Sequence, residues 1–437
     1  MFPKEVLKRI IGDDVALSPE MIKNIETWQN MLNGQAPWCD EQIQSLRLEQ
    51  VIVQEFANTC LNEMEWSISN DTLSKLFKSA IVSLNEEVQD GLGLGSLAAK
   101  PLGDDKVEFV ASDSFIPIKF GADRKPTKSA FLQVKEKKDR EYYIRIETHS
   151  LIDAGLIITN KAYRSNNLNY IGSEIPLDAE EEWINLDEEA YYPGVDRNIF
   201  GYYRNPRKNR IDKSACGVSI FEPGVVRIKK ADIQAARLDW EFESGERAIH
   251  ADTSVLNPNK PGINKLNKRL YRKMDIEDSG KLLDVFSPEF REQSIINGFN
   301  EYLRRVEQSV GLAFGDISDV SEVAKTATEV LHSKERKFNT VKAIENNLKT
   351  CLEDLVYGIA FHNKLTTSGY EFVCDFNDSI LTDDESETQS MREDVAASII
   401  RPELYIAKKY KVSENEAKKM MPKPEVPKNT TPDPYLE

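Results

Sequence analysis

A chain of 437 residues is too long for one simple core and predicts two or more domains. Its composition, 40% hydrophobic and 30% charged, is that of a folded globular protein. No run of about 18 apolar residues occurs and Met1–Glu5 opens no signal-peptide core, so no membrane contact is expected and a cytoplasmic start is. The net charge of −16 has the wrong sign for a protein that grips nucleic acid. Cys39, Cys60, Cys216, Cys351 and Cys374 are scattered without a CxxC pair and read as reduced, apolar cysteines. Four histidines far apart in sequence, His149, His250, His332 and His362, give little support to a metal site, and no cofactor is expected.

In chain order, helical segments fill the first 38 residues, which hold the cluster Trp28 to Trp38. Ile43, Leu46, Val53, Phe56, Leu61 and Met64 predict a helix near 40–65, and another spans Thr72 to Val88. Gly91-Leu-Gly-Leu-Gly95 lacks the third glycine of a dinucleotide loop and reads as a turn from helix to sheet. From Lys106 to Tyr163 the pattern becomes short β-branched and aromatic runs, a meander: Val107–Val110, Phe115–Ile118, Ala130–Val134, Tyr142–Ile146 and Leu156–Ile158. The charged stretch Lys135–Arg140 reads as a hairpin tip. Asp178 to Glu189 carries seven acids, which read as a solvated face rather than as catalytic carboxylates.

Aromatics Phe200, Tyr202 and Tyr203 lie beside Arg204, Arg207, Lys208 and Arg210, a pairing that can also stack on single-stranded nucleic acid. Gly224 opens a helix to about Ser244, with Val226, Ile233, Ala236 and Trp240 on one face. A second helix over 289–310 carries the stripe Ile295, Phe299, Leu303, Val306, Val310. The insert between them, 245–288, reads as strand Arg247–Leu256, a turn at Asn257–Gly262, and strand Leu282–Phe286. It places Lys260, Lys265, Lys268, Arg269, Arg272 and Lys273 beside Asp275, Glu277 and Asp278. Such a basic-then-acidic stretch suits a charged neighbour, and a solvated loop is the bland alternative.

Gly311-Leu-Ala-Phe-Gly-Asp-Ile-Ser-Asp319 breaks the helical pattern with two glycines and Ser/Asp caps. A long helix over 322–364 follows, with Val341, Ile344, Leu348, Leu352, Leu355 and Ile359 on one stripe, about 65 Å at ~1.5 Å per residue. Glu371–Phe376 reads as a strand, helices follow at 385–399 and 402–421 with a capping box at Ser413–Glu416, and the five prolines of 422–437 predict an extended or disordered tail. There is no phosphate loop, nucleophile elbow, HExxH helix or EF-hand loop, so no enzyme is expected and no catalytic or metal-ligating residue is assigned.

Lys325-Thr-Ala-Thr-Glu-Val330, opening a long helix after a Gly/Asp loop, resembles the phage portal proteins (head-tail connectors) of Gram-positive siphophages. Lys325, Thr326, Thr328 and Glu329 carry the sharpest likeness. The Trp28…Pro37-Trp38 cluster, the turn into Lys100-Pro101, Phe200-Gly-Tyr-Tyr-Arg-Asn-Pro206 with Gly217-Val-Ser-Ile220, and Asn377-Asp-Ser-Ile380 are similar to segments in the same order. The loop departs from the longer pattern of many relatives.

The resemblance implies an α+β portal fold and a dodecameric ring around a DNA channel. It implies a wing over 1–224, stem helices at 225–244 and 289–310, a clip at 245–288 and a tunnel loop at 311–321. The long wing helix is 322–364, the returning wing strand 365–382 and the crown 383–421. Phe314, Asp316, Ser318 and Asp319 would line the channel, and the clip charges from Lys260 to Glu277 would dock partners. Val226, Ile233, Trp240, Phe299, Leu303 and Val306 would pack the stem. Implied partners are further copies of the chain, double-stranded DNA, the large terminase subunit, a head-completion or adaptor protein, and the major capsid and scaffolding proteins. The implied places are the capsid portal vertex of the virion and the host cytoplasm during assembly. The negative charge then suits a channel wall that lets DNA slide. Without the resemblance, two other readings stand: a minor capsid or scaffold-like interaction protein with no DNA channel, and a nucleic-acid enzyme with dispersed acids.

Overall fold

The computed structural model describes residues 4–137, 141–167, 170–245, 248–252, 271–274, 283–286, 289, 291–319, 327–376, 391–410 and 414–421. The fold is mixed α+β and divides into two compact units, Met1–Phe376 and Asn377–Glu437.

The first unit opens with helices α1 (Lys4–Ile11), α2 (Pro19–Leu32) and α3 (Leu48–Leu61). Ser18 caps α2 by accepting the Met21 N–H at 3.1 Å, Pro19 sits in its first turn, and Met21, Ile25, Trp28 and Met31 form its buried face. The helix expected over 40–65 is shorter. Arg47 adopts a left-handed φ of 55°, so Ile43 and Leu46 precede the helix, and Met64 belongs to strand β1 (Met64–Ile68). The helix expected over 72–88 is two, α4 (Asp71–Ala80) and α5 (Leu84–Leu94), broken at Ile81–Ser83. Gly91 and Gly93 lie in α5 and Gly95 ends it at φ 98°. A Cβ on Gly95 would meet the Gly217 backbone, so only glycine fits this turn.

Strands β2 (Ser96–Gly103) and β3 (Lys106–Ala111) follow, then β4 (Phe115–Phe120), β5 (Pro126–Glu136), β6 (Tyr142–Ile152), β7 (Gly155–Ser165), β8 (Ser173–Ile175), β9 (Glu189–Pro193) and β10 (Gly201–Arg204). β4 to β8 form an antiparallel meander with β9 added to β7. The Val107–Val110 run does not join that meander. It pairs with β2 in a separate sheet of order β10-β2-β3, because the turn at Asp104 folds it back on β2.

α6 (Val225–Ser244) leads to an insert of β11 (Ala248–Asp252), β12 (Tyr271–Met274) and β13 (Leu283–Phe286), with β11 parallel to β12 and antiparallel to β13. α7 (Glu292–Val310) returns, and α8 (Ala327–His362) is 36 residues, about 54 Å at ~1.5 Å each. Every residue of its expected stripe, from Val341 to Ile359, is buried. Gly201 and Gly358 let α8 lie against the backbone: a Cβ on Gly201 would collide with the Cys351 carbonyl oxygen, and one on Gly358 with that of Ile199. β14 (Phe372–Phe376) closes the unit by pairing antiparallel with β1.

The second unit contains a helical run at 391–396, α9 (Pro402–Tyr410) and α10 (Glu414–Met420), the last two within the helix expected over 402–421, of which 411–413 lie outside the described residues. All five cysteines are free, four of them buried. Among the described residues no helix is long and apolar enough to cross a membrane.

Candidate functional site

α6 and α7 run antiparallel. Gly224, before α6, lies against Val310 at the end of α7, and the far ends are joined by Glu241, whose carboxylate accepts the Arg291 backbone N–H at 3.0 Å and its guanidinium at 3.2 and 2.6 Å. This partnership holds the Glu241 carboxyl below the usual range. The buried face of α7 is the expected one, with Leu303, Val306 and Val310 buried and Phe299 partly so. On α6 the buried face is Ile228, Ala231 and Asp232 instead. Ile233 is partly buried, while Val226 and Trp240 are 64% and 66% exposed.

Between α7 and α8 the chain folds around one carboxylate. Glu307, 2% exposed, accepts the backbone N–H groups of Gly315 (3.2 Å), Ile317 (2.7 Å) and Ser318 (2.7 Å) on Oε1, and the Ser318 hydroxyl (2.9 Å) on Oε2. Asn300 clasps Asp319 from both sides, accepting its N–H at 2.8 Å and donating to its carbonyl at 2.9 Å. Arg304 also donates to that carbonyl and lies over the Phe314 ring at 5.4 Å. Gly311 takes φ 91° against Thr340, ending α7 with a tight bend.

Asp316 is part of this frame. Its Oδ2 accepts the Ala313 N–H at 2.8 Å and pairs with Lys337 of α8 at 3.1 Å. Lys337 also donates to Glu55 of α3 at 2.6 Å. Burial alone would lower the Lys337 pKa, and the two carboxylates outweigh it and raise it. Of the four expected loop residues, Ser318 is therefore buried, Phe314 and Asp316 are partly buried, and the Asp319 side chain is exposed. Sequence reasoning missed Asn300, Glu307 and Lys337. The signal was their position: Asn300, Leu303, Val306, Glu307 and Val310 share one helical stripe, and a polar group on a buried stripe needs a partner.

Two more buried polar clusters stand elsewhere in the first unit. Asp232 of α6, fully buried, accepts the Trp38 indole N–H at 2.8 Å and the Leu46 N–H at 3.0 Å, fastening the 38–46 segment to α6. Beside it Glu49 is fully buried with neither oxygen hydrogen-bonded to another of the described residues, and burial, reinforced by Asp232, outweighs its own backbone N–H and pushes its pKa up to about 7. On β6, Glu147 hydrogen-bonds His149 Nε2 (2.7 Å), accepts from Lys100 (3.1 Å) and forms an ion pair with Arg145 (3.0 Å). Burial raises its pKa, but these partners outweigh it and hold it well below the carboxylate range. Of the acids in 178–189, Glu180 is buried, paired with Lys135 and Lys137, and the other six are exposed. They form no convergent catalytic pair.

Lys260, Lys265, Lys268, Arg269, Asp275, Glu277, Lys325 and Thr326 lie outside the described residues, as do the crown before 391 and the tail from 422. Arg272 and Lys273 are on β12, and Thr328 and Glu329 are in the first turn of α8. Among the described residues no group of three or more His, Cys, Asp or Glu is placed to hold a metal ion. No protein-family model matches the chain, and neither does any curated protein.

Proposed function

We propose that the chain is a phage portal subunit, one of twelve in a ring at a capsid vertex, through which double-stranded DNA is packaged and ejected. The observation that carries this reading is the run from α6 to α8. Two antiparallel helices bear a small β-sheet insert at one end and a carboxylate-clamped loop at the other, and a 36-residue helix follows. A helix pair of this kind, repeated around an axis, lines a channel, with the loops forming a collar. Val226, Trp240, Phe242 and Ile296 are exposed on the pair and supply the apolar surface that a neighbouring copy would cover. The insert would dock the terminase and later the adaptor. The chain does no chemistry in this reading. Its net charge of −16 keeps DNA from adhering.

The test is the mass of the purified protein with images of the same sample. Twelve chains of 49.7 kDa make a ring of about 600 kDa with a central hole. A chain that stays monomeric at high concentration and in the presence of its capsid proteins refutes the ring and favours a scaffold-like interaction protein. The channel contact has its own probe, Asp319→Lys, which adds positive charge at an exposed position while leaving the backbone clasp of Asn300 intact. It is expected to slow DNA passage. Asp316→Lys is a poorer probe because it sets two ammonium groups against each other at Lys337.

A further inference from the structure

The residues after β10 and the first described turns of α8 flank an open, groove-like cavity of about 460 Å³, lined by Arg207, His332, Glu335, Arg336, Asn339 and Thr340 together with Pro206 and Ala343. His332, Arg336, Asn339/Thr340 and Ala343 recur at steps of three and four, so they form one face of α8 looking across at Pro206-Arg207.

The charges there are unbalanced. Arg207 is partly buried. One of its terminal nitrogens donates to the Val310 carbonyl at the end of α7, which answers one of its five N–H groups, and its Nε is buried with no partner. Burial pushes its pKa down, with Glu222 opposing from beyond ion-pair distance. Neither Arg207 nor Arg336 makes an ion pair among the described residues. Among the described residues of the wall the one acid is Glu335, which is 70% exposed and faces His332 at 3.1 Å. Two guanidinium groups thus line a cavity with a single, outlying carboxylate, in a chain whose net charge is −16. A guanidinium partly removed from water without a counter-charge is costly, and its planar fork fits the oxygens of a tetrahedral oxyanion.

We propose that this cavity is an anion site that takes a phosphate group between Arg207 and Arg336, with the Asn339 amide and the His332 imidazole as further donors. The space exceeds one phosphate, so the group arrives attached to something larger. A nucleic-acid backbone and a small phosphorylated molecule share this chemistry, and the backbone alone rests on the portal reading.

The site is tested on the full chain by calorimetric titration with inorganic phosphate at low ionic strength, chloride serving as the control anion. The variants are Arg336→Gln, whose side chain makes no hydrogen bond or ion pair among the described residues, and Arg207→Gln. Phosphate is expected to bind the wild type and to bind Arg336→Gln at least about tenfold more weakly, the worth of one charge-assisted pair of hydrogen bonds, with an unchanged melting temperature in its absence. A short DNA duplex added to the phosphate-loaded protein separates the sources. Displacement identifies a backbone phosphate, and retention identifies a small phosphorylated ligand. Equal affinity in wild type and both variants, or no binding to the wild type at all, overturns the site. A monomeric protein that binds phosphate keeps this site and loses the ring, so the two readings fail separately.

Discussion

Glu307→Ala removes the centre of the 311–319 loop. Three backbone N–H groups and one hydroxyl lose their acceptor, and Ser318, 5% exposed, cannot reach water without moving. A hydrogen bond to a charged acceptor contributes about 1.5–3 kcal/mol, and a buried donor left unmade costs about 1–3 kcal/mol. Four such bonds would sum to far more, but a surface loop relaxes and recovers water for some of its N–H groups. The expected loss is therefore about 3–5 kcal/mol. Glu307→Gln keeps one carbonyl acceptor for the three amides and lets Ser318 rotate to accept from the new amide, so about 1–2 kcal/mol is expected. Urea unfolding gives both values. Hydrogen exchange at Gly315, Ile317 and Ser318 gives the local effect: these amides should exchange fastest in the alanine variant, while the α8 amides of the buried stripe stay protected. If Glu307→Ala costs under 1 kcal/mol, or leaves those three amides as protected as before, Glu307 does not hold the loop.

Three further outcomes follow from the packing. Glu49 is raised in the fold from its ordinary 4.5 to about 7, so its contribution is fully present below pH 4.5 and is lost as the pH rises through 7. Wild-type stability should drop by about 3 kcal/mol across that window, and Glu49→Gln should flatten the profile in melts at pH 5 and pH 8. Gly201→Ala drives a methyl group into the Cys351 carbonyl of α8 and should cost at least about 2 kcal/mol by chemical denaturation. Val226→Ser with Trp240→Ser should leave the melting temperature of the dilute single chain within a few degrees, since both side chains are exposed, while sedimentation shows assembly abolished.

Much of the scaffold was legible because periodicity reports one-sided burial. The stripes of α7 and α8, the helix over 225–244 and the meander strands other than Val107–Val110 stand where the pattern puts them. Periodicity fails where it runs through a break. Ile43 and Leu46 continue the α3 pattern by accident, and only the left-handed Arg47 stops it, a conformation arginine does not advertise. The turn at Ile81–Ser83 lacks both glycine and proline, so one helix was read for two. On α6 the apolar residues Val226 and Trp240 drew the face to the wrong side, because the buried side holds Asp232, whose partners Trp38 and Leu46 lie more than 180 residues away. The loop was placed by its glycines, but its clamp was not. A glutamate looks alike in sequence whether it faces water or gathers four hydrogen bonds.

Lys337 has one carboxylate on the loop and another on α3, at 3.1 and 2.6 Å. An ammonium so enclosed, 7% exposed, would ordinarily forbid its loop partner to leave, since departure would strand a bare charge. Here Glu55 stays behind as a standing counter-ion. The Asp316 side chain can leave while the lysine remains neutralised, whereas the backbone N–H groups of Gly315, Ile317 and Ser318 are tied to Glu307 by bonds that have no such understudy. The loop thus has a hinged edge and a riveted edge. A force on the loop would lift the first and be resisted by the second.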